Sequence, residues 1–222
     1  MKISGIIYDL DDTLISRDEA FYSGFTKKFY EKFVDKNEFD FDTFFQIMKS
    51  ADKITKWSPE KENLFNELRK NINLVEDNKF YVDFFWESID NSVKPDLEAN
   101  KHLEGLNKIN FPWGVLTNGY KYQHEKMIRS GVGKLAPFYI VSGDFGCHKP
   151  CKEVFIEASK KIDLSCEEIL FVGDTAETDI MGAKSVGMKT AWVKMGRRYP
   201  LEDKPDFEID HVKELNSILN LF

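Results

Sequence analysis

The chain has 222 residues, enough for one mid-sized domain or for a core that carries a modest insertion. Apolar residues make up 42% and charged residues 31%, an ordinary globular balance that excludes a disordered chain. A formal net charge of -7 excludes a general binder of nucleic-acid backbones, so an anionic ligand has to be drawn by a local positive feature.

The first apolar run, Ile3–Tyr8, reads as a β-strand. It is too short for the apolar part of a signal peptide, and no stretch approaches the roughly 18 apolar residues of a membrane span. A soluble, cytoplasmic protein with no membrane or nucleic-acid partner is therefore expected. Residues 16–92 hold no convincing strand and one proline, Pro59. Their aromatics recur at helical spacings: Phe21, Phe25 and Phe29, then Phe41, Phe44 and Phe45, then Tyr81, Phe84 and Phe85. This pattern predicts a small helical bundle whose core the rings line. Lys53, Lys56 and Trp57, just before Pro59, offer a cation and a stacking surface for a ligand. A solvated turn with a half-buried Trp accounts for the same residues.

Beyond residue 92, short apolar runs alternate with helical patterns. The runs are Trp113–Leu116, Tyr139–Val141, Ile169–Val172 and Thr190–Val193, with a last strand at Phe207–Ile209. Helices are expected near 97–108, 121–130, 151–162, 178–186 and 211–221. Strands rich in Ile and Val, separated by helices, predict a parallel sheet covered on both faces. The expected architecture is a doubly wound, Rossmann-like α/β core of residues 1–15 and 93–222, with residues 16–92 inserted as a helical cap. In such sheets sites form at the carboxyl ends of the strands.

The strand ends carry the chemistry. The first delivers Asp9-Leu10-Asp11-Asp12-Thr13, three carboxylates that repel one another unless a cation compensates them. A solvated turn is the structural alternative. The second delivers Thr117-Asn118-Gly119, a hydroxyl and an amide suited to an oxyanion and equally to a turn. Lys149-Pro150 precedes a helix, where Pro suits the first turn and Lys149 alone reads as a surface charge. The fourth run ends in Gly173-Asp174-Thr175, with Asp179 five residues after Asp174. A helix N-cap explains one of these residues but not why two strands send acids to the same edge. Cys147 and Cys151 flank this lysine. With a lysine and a proline between them and no second pair, zinc is disfavoured, and the three cysteines of the chain are expected to be reduced.

Taken in order, DLDDTL, LTNG, KP and GDTAETD resemble the haloacid dehalogenase-like superfamily of phosphohydrolases over nearly the whole chain. The resemblance implies Asp9 as the nucleophile that accepts the phosphoryl group and Asp11 as the general acid and base. It implies a Mg2+ ion held by Asp9, Asp11 (through its backbone carbonyl), Asp174 and Asp179. It places Thr117, Asn118 and Lys149 at the phosphoryl oxygens. Because Asp11 is present, a dehalogenase is disfavoured; a phosphomutase and a non-catalytic phosphometabolite-binding protein stand as alternatives. A helical cap implies a small phosphorylated metabolite as the partner. The segments LTNGYKYQHEKM and GDTAETDIMGAKSVGM are similar to N-acylneuraminate-9-phosphatase and 5′-nucleotidase-type members, which implies a sugar phosphate or a nucleoside monophosphate.

Overall fold

The computed structural model describes residues 2–55, 58 and 60–220. Lys56, Trp57 and Pro59 of the suggested stacking turn lie outside the described residues. Two compact units divide the chain: Met1–Arg17 with Lys94–Phe222, and Asp18–Val93.

Strand β1 (Gly5–Tyr8) opens the first unit and is buried at every position. The second unit follows. A π-helical turn, Glu19–Thr26, runs into α1 (Lys27–Phe33) and is followed by α2 (Phe41–Thr55), α3 (Glu62–Leu68) and α4 (Asn78–Asp90). Asp77 starts α4 by accepting the N–H of Phe80, an N-cap that satisfies a free donor. Phe21, Phe25, Phe29, Phe44, Phe65, Tyr81 and Phe85 form the core of this unit. Phe29 and Phe44 stack with centroids 6.0 Å apart. Phe41, the first residue of α2, is exposed, and Phe45 is half-buried, because the residue next to Phe44 on a helix points about 100° away from it.

The chain re-enters the first unit through α5 (Leu97–Lys108), capped by Asp96 on the N–H groups of Glu98 and Ala99. Then come β2 (Trp113–Thr117), α6 (Tyr122–Ser130), α7 (Val132–Leu135), β3 (Tyr139–Val141), α8 (Ser142–Phe145) and α9 (Lys152–Ile162). Next are β4 (Ile169–Gly173), a π-helical turn Ala176–Ile180 that leads into α10 (Met181–Lys184), β5 (Lys189–Val193), β6 (Phe207–Ile209) and α11 (Leu215–Ile218). The expected final helix is shorter than its periodicity suggested. His211 and Glu214 cap a single 3-10 turn, Val212–Glu214, before α11.

The strand order is β3-β2-β1-β4-β5-β6, with every pair parallel. This is the doubly wound, Rossmann-like α/β arrangement expected, with β1 at the point where the order reverses. Ile7, Leu116, Phe155 and Phe171 pack into one apolar cluster of the unit. Tyr8 pairs with Val115 on one side and Val172 on the other, so β1, β2 and β4 discharge their next residues at the same edge. Among the described residues no helix is long and apolar enough to cross a membrane.

Candidate active site

Asp9 is the first residue past β1, and its N–H donates to the carbonyl of Val172 at 2.8 Å, which extends the sheet by one rung and fixes the direction of its side chain. Asp174 follows the last residue of β4 in the same way. Asp179 arrives on the π-helical turn after β4, where the N–H of Thr175 donates to its Oδ2 at 3.0 Å. Carboxylate oxygens of Asp9, Asp174 and Asp179 lie within 4.8 Å of one another, and all three side chains are buried. Gly173 makes room for this approach: a Cβ there would sit 2.6 Å from both Cβ and Cγ of Asp179.

One buried ammonium serves the cluster. Lys149 Nζ lies 2.6 Å from Asp9 Oδ1 and 2.7 Å from Asp179 Oδ1, and over the ring of Phe171 at 5.3 Å. Burial by itself pushes Lys149 down, but Asp179 and Asp9 outweigh it and hold the lysine above its ordinary range. Three buried carboxylates against Lys149 and the partly exposed Arg197, which reaches Asp174, leave an excess of negative charge in a place with little water. Burial pushes Asp9 up, Lys149 opposes this, and repulsion from Asp179 and Asp174 adds to the rise. Burial and the neighbouring Asp179 and Asp12 likewise push Asp174 up to about 7, although Arg197 donates to its Oδ2 at 3.0 Å. Buried oxygen donors with uncompensated charge suit a small, hard divalent cation such as Mg2+, so the residues present fit the ion that the resemblance implies.

The remaining expected residues divide. Thr117 is buried at the end of β2, its Oγ1 accepting from the Gln123 side chain. Asn118 is placed against the Lys149 backbone: its Nδ2 donates to Lys149 O at 3.0 Å and its Oδ1 accepts from Lys149 N–H at 2.8 Å. Its amide is thus spent on orienting the lysine. The Asp11 carboxylate lies away from the three-carboxylate cluster, in the grip of α6. Lys126 Nζ donates to its two oxygens at 2.8 and 2.7 Å, and Gln123 Nε2 donates to Oδ2 at 2.9 Å. Burial opposes ionisation of Asp11, but Lys126 and then Gln123 overcome it and hold the group below its usual range.

Gln123, Lys126 and Arg197 carry no strand-end signature, which is why motif reading passed over them. Gln123 and Lys126 did leave one trace: they stand three apart on a helix that begins directly after the Thr-Asn-Gly turn, so they share a face. The cysteines are a correction. Cys147 and Cys151, expected to be reduced, form a disulfide, because the turn through Lys149 brings their Cα atoms to 6.2 Å, within bridging range. The two sulfurs and the Glu153 carboxylate also cluster, but bonded sulfurs are not thiolate ligands.

Fold and site together define an α/β protein with a buried cluster of carboxylates at the carboxyl edge of its parallel sheet. Comparison with known proteins makes this specific. The model of the haloacid dehalogenase-like hydrolase family matches residues 6–193. The chain is 34% identical over 133 residues to the glyceraldehyde 3-phosphate phosphatase of Methanopyrus kandleri, a match that spans 57% of that protein, a little over half its length. It is 30% identical to the enzyme of the same name from Methanocaldococcus jannaschii, across 98% of this chain and 97% of that one. The HAD-hydrolase YfnB of Bacillus subtilis, solved bound to magnesium, shares the fold at a TM-score of 0.78 and 24% identity, over 99% of this chain and 100% of its own. The chain belongs to the haloacid dehalogenase-like hydrolase family, as the four strand-end motifs implied, and both relatives named here are phosphatases.

Proposed function

We propose that the chain is a Mg2+-dependent phosphatase that passes the phosphoryl group of a small phosphomonoester to Asp9 and then to water. The observation that carries this is the buried cluster of Asp9, Asp174 and Asp179 around Lys149 at the head of β1. Asp9 is the candidate nucleophile. An Asp9 oxygen bonds to phosphorus while the bond from phosphorus to the leaving oxygen breaks, and Asp11, once it has left the hold of Lys126 and Gln123 and taken up a proton, gives that proton to the leaving oxygen. Asp11, now a carboxylate, takes a proton from water as the water oxygen attacks the aspartyl-phosphate, which frees inorganic phosphate and restores Asp9. Thr117 and Lys149 hold the phosphoryl oxygens, where negative charge is spread during transfer, and Asn118 keeps Lys149 aimed. Asp9, Asp174 and Asp179, with the backbone carbonyl of Asp11, hold Mg2+, which when bound offsets the repulsion between the Asp9 carboxylate and a phosphate dianion.

Both relatives are named for a triose phosphate, which supports a small sugar phosphate as the substrate ahead of a nucleoside monophosphate. The helical unit Asp18–Val93 is the candidate specificity element, a cap in the sense that the resemblance implies. The test is a phosphate-release screen with Mg2+ and with EDTA. It covers glyceraldehyde 3-phosphate, longer sugar phosphates, nucleoside monophosphates and p-nitrophenyl phosphate. Metal-dependent release with one metabolite far ahead of the others is expected. Folded protein that releases phosphate from none of them overturns the reading.

A further inference from the structure

The turn that follows β5 has no part in the chemistry set out above, yet it ends against Asp174. Strand register sets Trp192 beside Gly173, the last residue of β4, and the indole Nε1 donates to the backbone carbonyl of Asp174 at 2.7 Å. Residues 194–197 then make a tight turn, with φ of 49° at Met195 and 71° at Gly196. The N–H of Arg197 closes it by donating to the Lys194 carbonyl at 2.9 Å. The Arg197 guanidinium comes to lie over the Trp192 ring, 5.7 Å from its centroid. There Nε donates to the Lys194 carbonyl at 3.1 Å. Nη2 donates to Asp174 twice, to the backbone carbonyl at 3.1 Å and to Oδ2 at 3.0 Å. A single nitrogen thus ties the main chain of Asp174 to its own carboxylate.

An aspartate at a strand end turns about two side-chain bonds, whereas Mg2+ demands near-ideal octahedral placement of its oxygens. The bonds from Arg197 remove that freedom and favour the ionised carboxylate, the form that a cation takes. They also leave room for the ion. A carboxylate offers about four lone-pair sites. Arg197 takes one on Oδ2, and the Thr175 hydroxyl takes one on Oδ1 at 3.1 Å.

We propose that Arg197 is a positioning residue that holds the Asp174 carboxylate in the orientation Mg2+ takes, while Trp192 fixes the carbonyl end of the same residue. This rests on the proposed place of Asp174 among the Mg2+ ligands. Groups that hold a metal ligand from behind are worth about 10–100-fold in metal affinity. The sign of the effect separates orientation from charge. A guanidinium repels an incoming cation, so by charge alone the loss of Arg197 tightens Mg2+ binding. If Arg197 orients the ligand, its loss weakens binding.

The quantity to read is the Mg2+ dissociation constant of the whole chain without substrate, taken from the rise of its melting temperature with Mg2+ concentration. The titration is run at pH 9, where protons compete little for a carboxylate. In Arg197→Met the constant is expected to rise about tenfold or more. Arg198→Met removes the charge of an exposed neighbour, and its constant is expected to stay within about threefold of wild type. Asp174→Asn is the reference and is expected to show the largest loss. If Arg197→Met binds Mg2+ as tightly as wild type or more tightly while Asp174→Asn loses it, the positioning role is overturned and the ligand set stands. A purely structural role gives that same result, since it lowers only the metal-free melting temperature. An equal loss in Arg198→Met also overturns the positioning role. If Asp174→Asn binds Mg2+ as wild type does, Asp174 is not a ligand, and the positioning role falls with it. Should Arg197→Met fail to fold, Arg197→Gln decides the question by the same constant.

Discussion

Asn118 and Lys149 are joined twice, amide to carbonyl at 3.0 Å and N–H to amide oxygen at 2.8 Å, so a turn after β2 dictates where a lysine 31 residues later presents its ammonium. The bonds involve only the backbone of Lys149, and they leave its side chain free for the acids. Replacing Asn118 by Ala removes both bonds without touching the charge of the site. Two hydrogen bonds of ordinary net worth amount to about 1–3 kcal/mol, and the loss is expected in urea unfolding of Asn118→Ala. The same variant is expected to lose at least tenfold in kcat/KM. Activity kept in full would show that Lys149 is aimed by other means.

Asp9→Asn is expected to abolish turnover. It also removes one of the two acids that share the Lys149 ammonium, an acid whose charge burial and the neighbouring Asp179 and Asp174 disfavour, so in the absence of metal its melting temperature is expected to equal or exceed that of wild type. Thermal unfolding in EDTA, beside a phosphate-release assay in Mg2+, reads both effects. Turnover at the wild-type rate would refute the nucleophile.

The raised Asp174 gives a pH dependence. Its folded value stands at about 7, against ~3.9 for an unfolded aspartate. Between these limits the folded chain keeps a proton that the unfolded chain has released. The stability contributed by this proton is complete below about 4 and is lost as pH rises through about 7, on the order of 4 kcal/mol in all. Asp174→Asn lacks this loss. In EDTA the stability of Asp174→Asn relative to wild type is therefore expected to improve from pH 5 to pH 8. Added Mg2+ competes with the proton, so it is expected to raise the melting temperature of wild type more at pH 8 than at pH 5, and that of the variant little at either. A difference between the two proteins that does not change with pH would contradict this account.

Gly173→Ala tests the room left for Asp179. The added methyl overlaps that side chain and forces it to move, at a cost of about 1–3 kcal/mol. An acid so displaced no longer meets Asp9 and Asp174 inside 4.8 Å, so the Mg2+ concentration for half-maximal activity is expected to rise at least tenfold. A metal requirement equal to that of wild type would remove Asp179 from the ligand set.

The Cys147–Cys151 bridge closes a short loop, a sequence separation of 4, around Lys149. A bridge of this size contributes about 2 kcal/mol through the unfolded state. Unfolding in urea with and without dithiothreitol is expected to show that difference in wild type and none in Cys151→Ser. Equal stability of wild type under both conditions would show that the bridge contributes nothing.

The strand-end residues were legible because a parallel strand has to be apolar throughout and then stop, and what stands at the stop is conspicuous. Asp9, Thr117 and Asp174 follow or close Ile-, Leu- and Val-rich runs that could hardly be anything but buried strands. The ring spacing of Phe21, Phe25 and Phe29 revealed the helical unit for the same reason, since a repeat of four residues puts every ring on one face. Sequence alone therefore determined the fold class, the family and the residues at one sheet edge.

What it did not contain is which of those residues face one another. The grouping of Asp9 with Asp174 and Asp179, and the exclusion of the Asp11 carboxylate from that group, depend on strand register and on the path of the turn after β4. The pairing of buried Lys149 with Asp9, the assignment of Asn118 to the lysine backbone, the closing of Cys147 on Cys151 and the hold of Lys126 on Asp11 join residues from 4 to 140 positions apart. Local pattern governs which residues enter a strand or a helix, because that is a matter of burying one face. Charge pairing depends on distances of a few ångström between side chains remote in sequence, and only the packed sheet and its helices set those.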